Sequence, residues 1–370
     1  MKAQISGVEL YFLVKELQGL VDGKVEKIYN PKKEEVIFTL HLPNIGKKIL
    51  RIVAGKYMYI SESRESAVEP TGFCTYLRKQ LSNARIREII QLESERIVKI
   101  VFEKKEGKKN LIVELFGRGN ILLTDSNDVI LTAVDYHKFK DRTIRPKETY
   151  TYPKREINVF SLHIDEMKKA ITSTEKDSLA TFLAVDLGLG GVFSEELCLR
   201  VGFDKKRKPN DLSLKEQHKI VEELFTLLKS KLKPNIITKE GKLKDILPIE
   251  MEVYKGLDKE DFGTFSSALD SGISKFLLEK KPTSKELEIK RLQRIIDAQE
   301  KKLEEMKKAE VENREKGEKI FENYQVIDSL LKDLNKIEKE HSWQEIKTKL
   351  KGHKLIKNVD VKEKKITVDV

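Results

Sequence analysis

Residues 114–125 read ELFGRGNILLTD, two apolar runs on either side of a Gly-Arg-Gly-Asn turn. Short apolar runs that reverse at glycine and asparagine, residues that tolerate positive φ, read as a β-hairpin. The hairpin needs the glycines and the asparagine but not Arg118. That side chain is either a solvated turn residue or one kept for a contact beyond the turn. Working outward, the same pattern recurs. KVEKIY, EEVIFTLHL, KILRIVA and YMYIS come earlier, RIVKIVFE and NLIVELF lead into the hairpin, and VILTAVDY follows it, most of them separated by Gly, Pro, Asn or Asp. Residues 1–153 therefore read as a mostly antiparallel β domain, and the fold class as α+β.

Two helices flank these strands. In ISGVELYFLVKELQGLVDG, Ser6 and Glu9 have capping-box spacing ahead of an apolar stripe of Phe12, Leu13, Leu17 and Leu20, with Gly23 after the last turn. In EPTGFCTYLRKQLSNA, Pro70 stands where a helix can start without losing a needed N–H. From 154 to 281 the pattern becomes helical, through DEMKKAI, DSLATFLAVDL, FSEELCLRV, LKEQHKIVEELFTLLKSKL and GTFSSALDSGISKFLLEK, with 232–256 as an inserted hairpin or loop. Within it, Gly188, Gly190 and Gly191 end one helix and open the next. They form either a plain helix-helix turn or a backbone-amide cradle for a phosphate, near Lys205, Lys206 and Arg207.

Residues 282–370 differ in character. A second capping box at Thr283 and Glu286 precedes Leu292, Ile296, Leu303, Met306, Ile320, Tyr324, Ile327, Leu331 and Leu334, spaced by fours and threes. This heptad seam predicts a helix over about 284–338, roughly 80 Å long at 1.5 Å per residue. Gln299, Glu310, Asn313 and Gly317 make its middle polar. No return helix follows, so the chain is expected to be the amino-terminal part of a longer protein that self-associates through the seam.

The composition narrows the partners. With 370 residues, 39% of them hydrophobic, the chain can bury a sizeable core in two or three domains. A formal net charge of +11 favours a polyanion, and the lack of a basic amphipathic helix with an aromatic face favours nucleic acid over a membrane. No apolar run spans a bilayer, and the opening MKAQISGVEL has a glutamate where a secretory segment has its apolar core. A cytoplasmic protein is expected. Cys74 and Cys198 read as buried free thiols of a reducing compartment, and the six scattered histidines give no ligand spacing, so neither metal nor cofactor is expected.

SGVEL near the start, PTGFCTYLRKQL at 70–81, SERIV at 94–98, ELFGRGNILLTD, RPKETYTYP at 145–153 and AEVENREKGEKIFENYQVID together resemble the NFACT family, the ribosome quality-control factors called RqcH in archaea and bacteria and NEMF in animals. The resemblance runs through the chain in order and is of archaeal type; Arg118 is part of one of its signatures. It implies an NFACT-N domain at 1–153, similar in fold to the Fpg glycosylases, a helix-hairpin-helix domain at 154–281, and the first arm of a coiled-coil hairpin at 282–370. The return arm and the NFACT-R domain would lie beyond. It further implies binding to the large ribosomal subunit and its rRNA, holding of stalled peptidyl-tRNA, and recruitment of aminoacyl-tRNA, mainly alanyl, for untemplated tailing of the nascent chain. The ribosome would perform peptide transfer, so the chain would be no enzyme. The family's tRNA-recruiting Asp-Arg pair falls on Glu95-Arg96, and another Asp falls on Glu9. Both acids are glutamate here, one methylene longer. Glu9 is also the capping-box acid, and Glu95-Arg96 could be only a strand-edge ion pair worth about 0–1 kcal/mol. Alternation places Arg96 on the face of Val98, Ile100 and Phe102, with Glu95 on the other. Other readings are a DNA-repair glycosylase or lyase, which would lack its amino-terminal proline nucleophile, a surface adhesin, and a nucleic-acid-binding or structural coiled-coil protein.

Overall fold

The computed structural model describes residues 4–62, 69–139, 142–153, 155–279, 284–353 and 355–368. The Thr283 capping-box position and residues Met1–Ala3 lie outside them. Two compact units result, 1–280 and 281–370.

In the first unit, α1 (Gly7–Leu17) carries the expected capping box. Glu9 N donates to Ser6 Oγ at 3.2 Å and Ser6 N to Glu9 Oε2 at 2.7 Å. Four antiparallel strands follow, β1 (Lys24–Lys32), β2 (Glu35–Leu42), β3 (Gly46–Val53) and β4 (Tyr57–Ser61). Next come α2 (Gly72–Leu81) and five more strands, β5 (Arg85–Gln91), β6 (Ile97–Lys104), β7 (Gly107–Glu114), β8 (Asn120–Asp125) and β9 (Ile130–Ala133). Thr71, not Pro70, borders α2: its hydroxyl accepts from Cys74 N and caps the helix, while Pro70 stands one residue outside. The nine strands form one sheet in the order β4-β3-β2-β1-β5-β6-β7-β8-β9, two meanders joined where β1 and β5 pair at Lys24 and Arg85. The two halves pack on one another, with Phe38 of β2 against Phe102 of β6 at a centroid distance of 5.6 Å. A short ladder, β10 (His137–Lys138) with β11 (Thr143–Ile144), ends this part.

The helical stretch then runs through α3 (Ile164–Ser173), the single turn α4 (Leu179–Thr181) leading into a π-helical turn at Phe182–Asp186, α5 (Gly191–Val201) and α6 (Leu214–Leu228). It is not all helical. β12 (Asn235–Lys239), β13 (Lys242–Leu247) and β14 (Asp258–Asp261) form a three-stranded sheet before α7 (Phe265–Glu279). The hairpin expected within 232–256 forms as β12 with β13, while the charged β14 carries no period-two signal; β12 is apolar on both faces, Ile236 belonging to the core of the large sheet and Ile237 to that of the helices. Helix α1 is shared likewise, Leu10, Leu13 and Leu17 facing the sheet core while Val8 and Phe12 face the helical one. Helix α7 covers β4, and the Glu16 carboxylate caps its start by accepting from Phe265 N at 2.8 Å.

The second unit has α8 (Ser284–Glu322), α9 (Tyr324–Glu340), α10 (Trp343–Lys349) and the hairpin of β15 (Ile356–Asp360) and β16 (Lys365–Val368). The long helix is not continuous to 338. At Asn323 the backbone leaves helical values (φ −106°, ψ 22°) and the side chain donates back to Lys319 O at 2.9 Å, a local bond that competes with the helix ladder.

Candidate nucleic-acid interface

Glu95 and Arg96 stand in the turn before β6, not in the strand. Glu93 has φ +51°, Glu95 N donates to Leu92 O at 3.1 Å, and Gln91 Nε2 donates to Glu95 O at 2.9 Å. The strand alternation expected of them therefore starts only at Ile97, which faces one core while Val98 faces another. Arg96 keeps contact with the sheet through its carbonyl, which accepts from Leu115 N at 2.8 Å. The turn is seated against the start of α1, where a Cβ on Gly7 would lie 2.7 Å from Ser94 O.

The guanidinium of Arg96 donates to Gln4 Oε1 at 2.8 Å, and Gln4 Nε2 donates to Gly117 O at 3.3 Å, so Gln4 bridges Arg96 to the Gly-Arg-Gly-Asn turn. In that turn Gly117 and Gly119 have φ of +57° and +72°, and Arg118 is exposed with no ion pair among the described residues. Gly119 has a second reason to be glycine: a Cβ there would fall 1.8 Å from Gly55 N. The β7–β8 turn thus packs backbone to backbone on the β3–β4 turn, and Gly55 N donates to Glu114 O at 2.9 Å. Beneath it Glu114 is buried and receives a bidentate Arg142 at 2.5 and 3.3 Å and the Tyr150 hydroxyl at 2.9 Å. The motifs at 114–125 and 145–153 are therefore linked by one buried network.

A cation not foreseen in the sequence completes the cluster. Arg155 lies with Nε 3.1 Å from Glu95 Oε1, an ion pair poorly aligned for a hydrogen bond, and its Nη1 donates to Val185 O at 3.0 Å. It also occupies the space over Gly188 (φ +74°), where a Cβ would come within 2.4 Å of Nη1. Gly190 (φ +81°) is the N-cap of α5 and its missing Cβ would touch Ser6 Cβ at 3.4 Å, so the starts of α1 and α5 meet. Gly191 is the first residue of α5 and is exposed. The amides of Leu189 and Gly190 are spent on Leu183 O and Ala184 O, which leaves the first-turn amides of α5, uncapped by any side chain, as its donors. Of the cations expected near the hairpin, Lys205 pairs with Glu195 and Arg207 with Glu216. The only early signal for Arg155 was its charge beside the 145–153 motif.

Electrostatically the cluster sets Arg96 and Arg155 against Glu9 and Glu95. Burial lifts the Glu95 carboxyl above the usual carboxylate range although Arg155 and Arg96 pull it down. Burial, then the charge of Arg155, lowers the Arg96 guanidinium against the opposing pull of Glu95 and Glu9. Glu9 is 2% exposed and its carboxylate serves the cap. The uncapped start of α5 and the two arginines suit a phosphate, and the Glu95 carboxylate suits a base amine. Among the described residues no helix is long and apolar enough to cross a membrane, and no group of His, Cys, Asp and Glu could hold a metal ion.

Residues 6–368 match the family described as NFACT N-terminal and middle domains. The chain belongs to the NFACT family. This NFACT chain is 33% identical over 384 residues to the archaeal Rqc2 homologue aRqcH of Methanocaldococcus jannaschii, covering 97% of the chain and 57% of that protein. It is 25% identical to the ribosome quality control complex subunit NEMF of Homo sapiens, covering 94% of the chain and 35% of that protein. The NFACT chain thus spans little more than half of the first relative and about a third of the second. Among solved structures, the N-terminal part of the fibronectin/fibrinogen-binding protein from Streptococcus suis aligns with a TM-score of 0.59 at 24% identity, over 74% of this chain and all of that one. The fibrinogen binding protein from Staphylococcus aureus aligns with the same score at 20% identity, over 72% and 97%. Both show the fold.

Proposed function

We propose that this chain is the amino-terminal part of a ribosome quality-control factor that associates with the large ribosomal subunit carrying stalled peptidyl-tRNA. In this reading it recruits aminoacyl-tRNA, alanyl in the main, so that the ribosome extends the nascent chain without a template. The chain acts in the cytoplasm as a positioning factor and breaks or forms no bond itself. What carries the reading is the chain of contacts that joins Glu95-Arg96 to the Arg118 turn through Gln4 and to the start of α5 through Arg155, in a family whose relatives bear quality-control names. At this cluster, Arg96 holds an RNA phosphate or base edge, Glu95 orients Arg96 or accepts from a base amine, and the α5 amides take a neighbouring phosphate.

The test is Arg96→Ala in the protein extended to full length, read by tRNA co-purification and by association with large subunits. Loss of one charge-assisted contact, about 1.5–3 kcal/mol, should lower tRNA recovery roughly 10- to 100-fold while subunit association and melting temperature hold. Loss of both interactions with a lowered melting temperature would reduce Glu95-Arg96 to a structural pair. Glu95→Asp is expected to keep recruitment, and its failure would reject the assignment at 95.

A further inference from the structure

The hairpin of β10 and β11 starts beside the Gly-Arg-Gly-Asn turn. Asn120, buried at the end of that turn, fixes its entry: Nδ2 donates to Asp135 O at 2.8 Å, and Oδ1 accepts from Asp135 N at 3.2 Å. Phe139 N donates to Arg142 O at 2.8 Å across the hairpin. Here Tyr136 is 52% exposed and Phe139 47%, although every Val, Leu and Ile between residues 120 and 153 is buried or half-buried. The apolar surface that this segment offers is therefore made of rings.

Both rings are held in place. The Tyr136 hydroxyl lies 3.3 Å from Thr132 Oγ1. The Arg142 guanidinium, itself fixed on the buried Glu114, lies 5.0 Å from the centre of the Phe139 ring, and the His137 ring is 5.7 Å from it. A ring already immobilised loses little freedom when a ligand stacks on it. Around the rings Lys138, Arg145 and Lys147 are exposed and form no ion pair among the described residues, whereas Asp135 is paired with Lys33. The cations alone would accept any anion, and the rings make the choice. Inorganic phosphate has no face to stack, and a bilayer or an apolar protein surface calls for an aliphatic patch that this hairpin does not expose. An unpaired nucleobase between its phosphates uses both the rings and the cations.

We propose that the hairpin of β10 and β11 is a stacking site for unpaired RNA bases, Tyr136 and Phe139 each taking the face of one base while Lys138, Arg145 and Lys147 draw the phosphates between them. The inference rests on the reading of the chain as an RNA-binding factor and adds to it a contact that depends on the bases. The test titrates the 370-residue chain with a fluorescent oligouridylate and with an abasic ribose-phosphate chain of equal length. Tyr136→Leu/Phe139→Leu keeps the charge and an apolar cover over Arg142 but removes the rings. It should weaken oligouridylate binding roughly 5- to 100-fold, while affinity for the abasic chain and the slope of log K against log salt stay as they were, because leucine removes no charge. Phe139→Trp should bind oligouridylate at least as tightly as the native chain. Unchanged oligouridylate affinity in the leucine variant, or an equal loss on the abasic chain, would overturn the stacking site. Should the double variant melt at a lower temperature, Tyr136→Leu alone decides, since the Tyr136 hydroxyl bonds only Thr132 among the described residues; native affinity in that variant would overturn the site. A native chain that binds neither probe would reject the RNA reading as a whole, an outcome distinct from binding that ignores the rings. Loss of binding to phosphatidylserine vesicles with oligouridylate affinity retained would assign the rings to a membrane and reject the proposal.

Discussion

Glu95 is a carboxylate held where its charge is costly: the side chain is only 12% exposed, Oε1 has no aligned hydrogen bond, and burial outweighs the two arginines beside it. A folded-state value above the unfolded one means that the ionised form is disfavoured by folding. The penalty is absent below the usual carboxylate value near 4.5, grows as pH rises through the folded-state value, and is constant above it. Glu95→Gln, which mimics the protonated acid, should therefore raise the urea midpoint at pH 7 and make no difference near pH 3.5. A lower midpoint at pH 7 would mean that Arg155 over-compensates for burial. If the same variant loses tRNA recruitment, Glu95 is a residue kept for function at the expense of stability. Arg96 shows the complementary limit of reading residues singly. Its charge was visible in the sequence, but its bond to Gln4 and the nearness of Arg155 depend on segments far apart in the chain.

Among the elements, the turns carry more than the strands. Gly117 and Gly119 are demanded by positive φ, which the Gly-Arg-Gly-Asn pattern announces. That Gly119 must also lack a Cβ because the Ala54–Gly55 backbone lies against it is invisible locally. Gly119→Ala should cost roughly 2–5 kcal/mol, the left-handed penalty plus the overlap, measured by chemical denaturation. Gly117→Ala, with open space around it, should cost only the left-handed part, about 1–2 kcal/mol. Similar losses at both positions would mean that the two turns do not touch. The capping box expected at Ser6 formed as such, and further boxes, not read from the sequence, formed at Ser213 and Ser342. The π turn at Phe182–Asp186 and the break at Asn323 had no periodic signature, because each replaces helix hydrogen bonds by bonds that depend on the chain around them.

For the whole molecule, the 1–280 unit has three cores, two of which share α1 and β12, whereas the second unit leaves its seam uncovered: Leu292, Leu303, Met306 and Leu331 are each more than half exposed. An apolar stripe of that length seeks a partner. The chain of 370 residues is expected to associate at high concentration in light scattering, and a chain ending at residue 280 to stay monomeric and to unfold cooperatively. A strict monomer in both cases would reject pairing through the seam. The sequence by itself determined the strands of the large sheet, the start of α1 and the tight Gly-Arg-Gly-Asn turn, since period-two alternation, capping spacing and positive-φ residues act over a few positions. It also carried the family signatures and the charge that favours a polyanion. Only the tertiary structure decided that Arg96 reaches the Gly-Arg-Gly-Asn turn through Gln4, that Arg155 joins Glu95 to Gly188, and that β12 and α7 join the core of the large sheet. Which apolar face meets which is settled by long-range packing, and no window of neighbouring residues contains that choice.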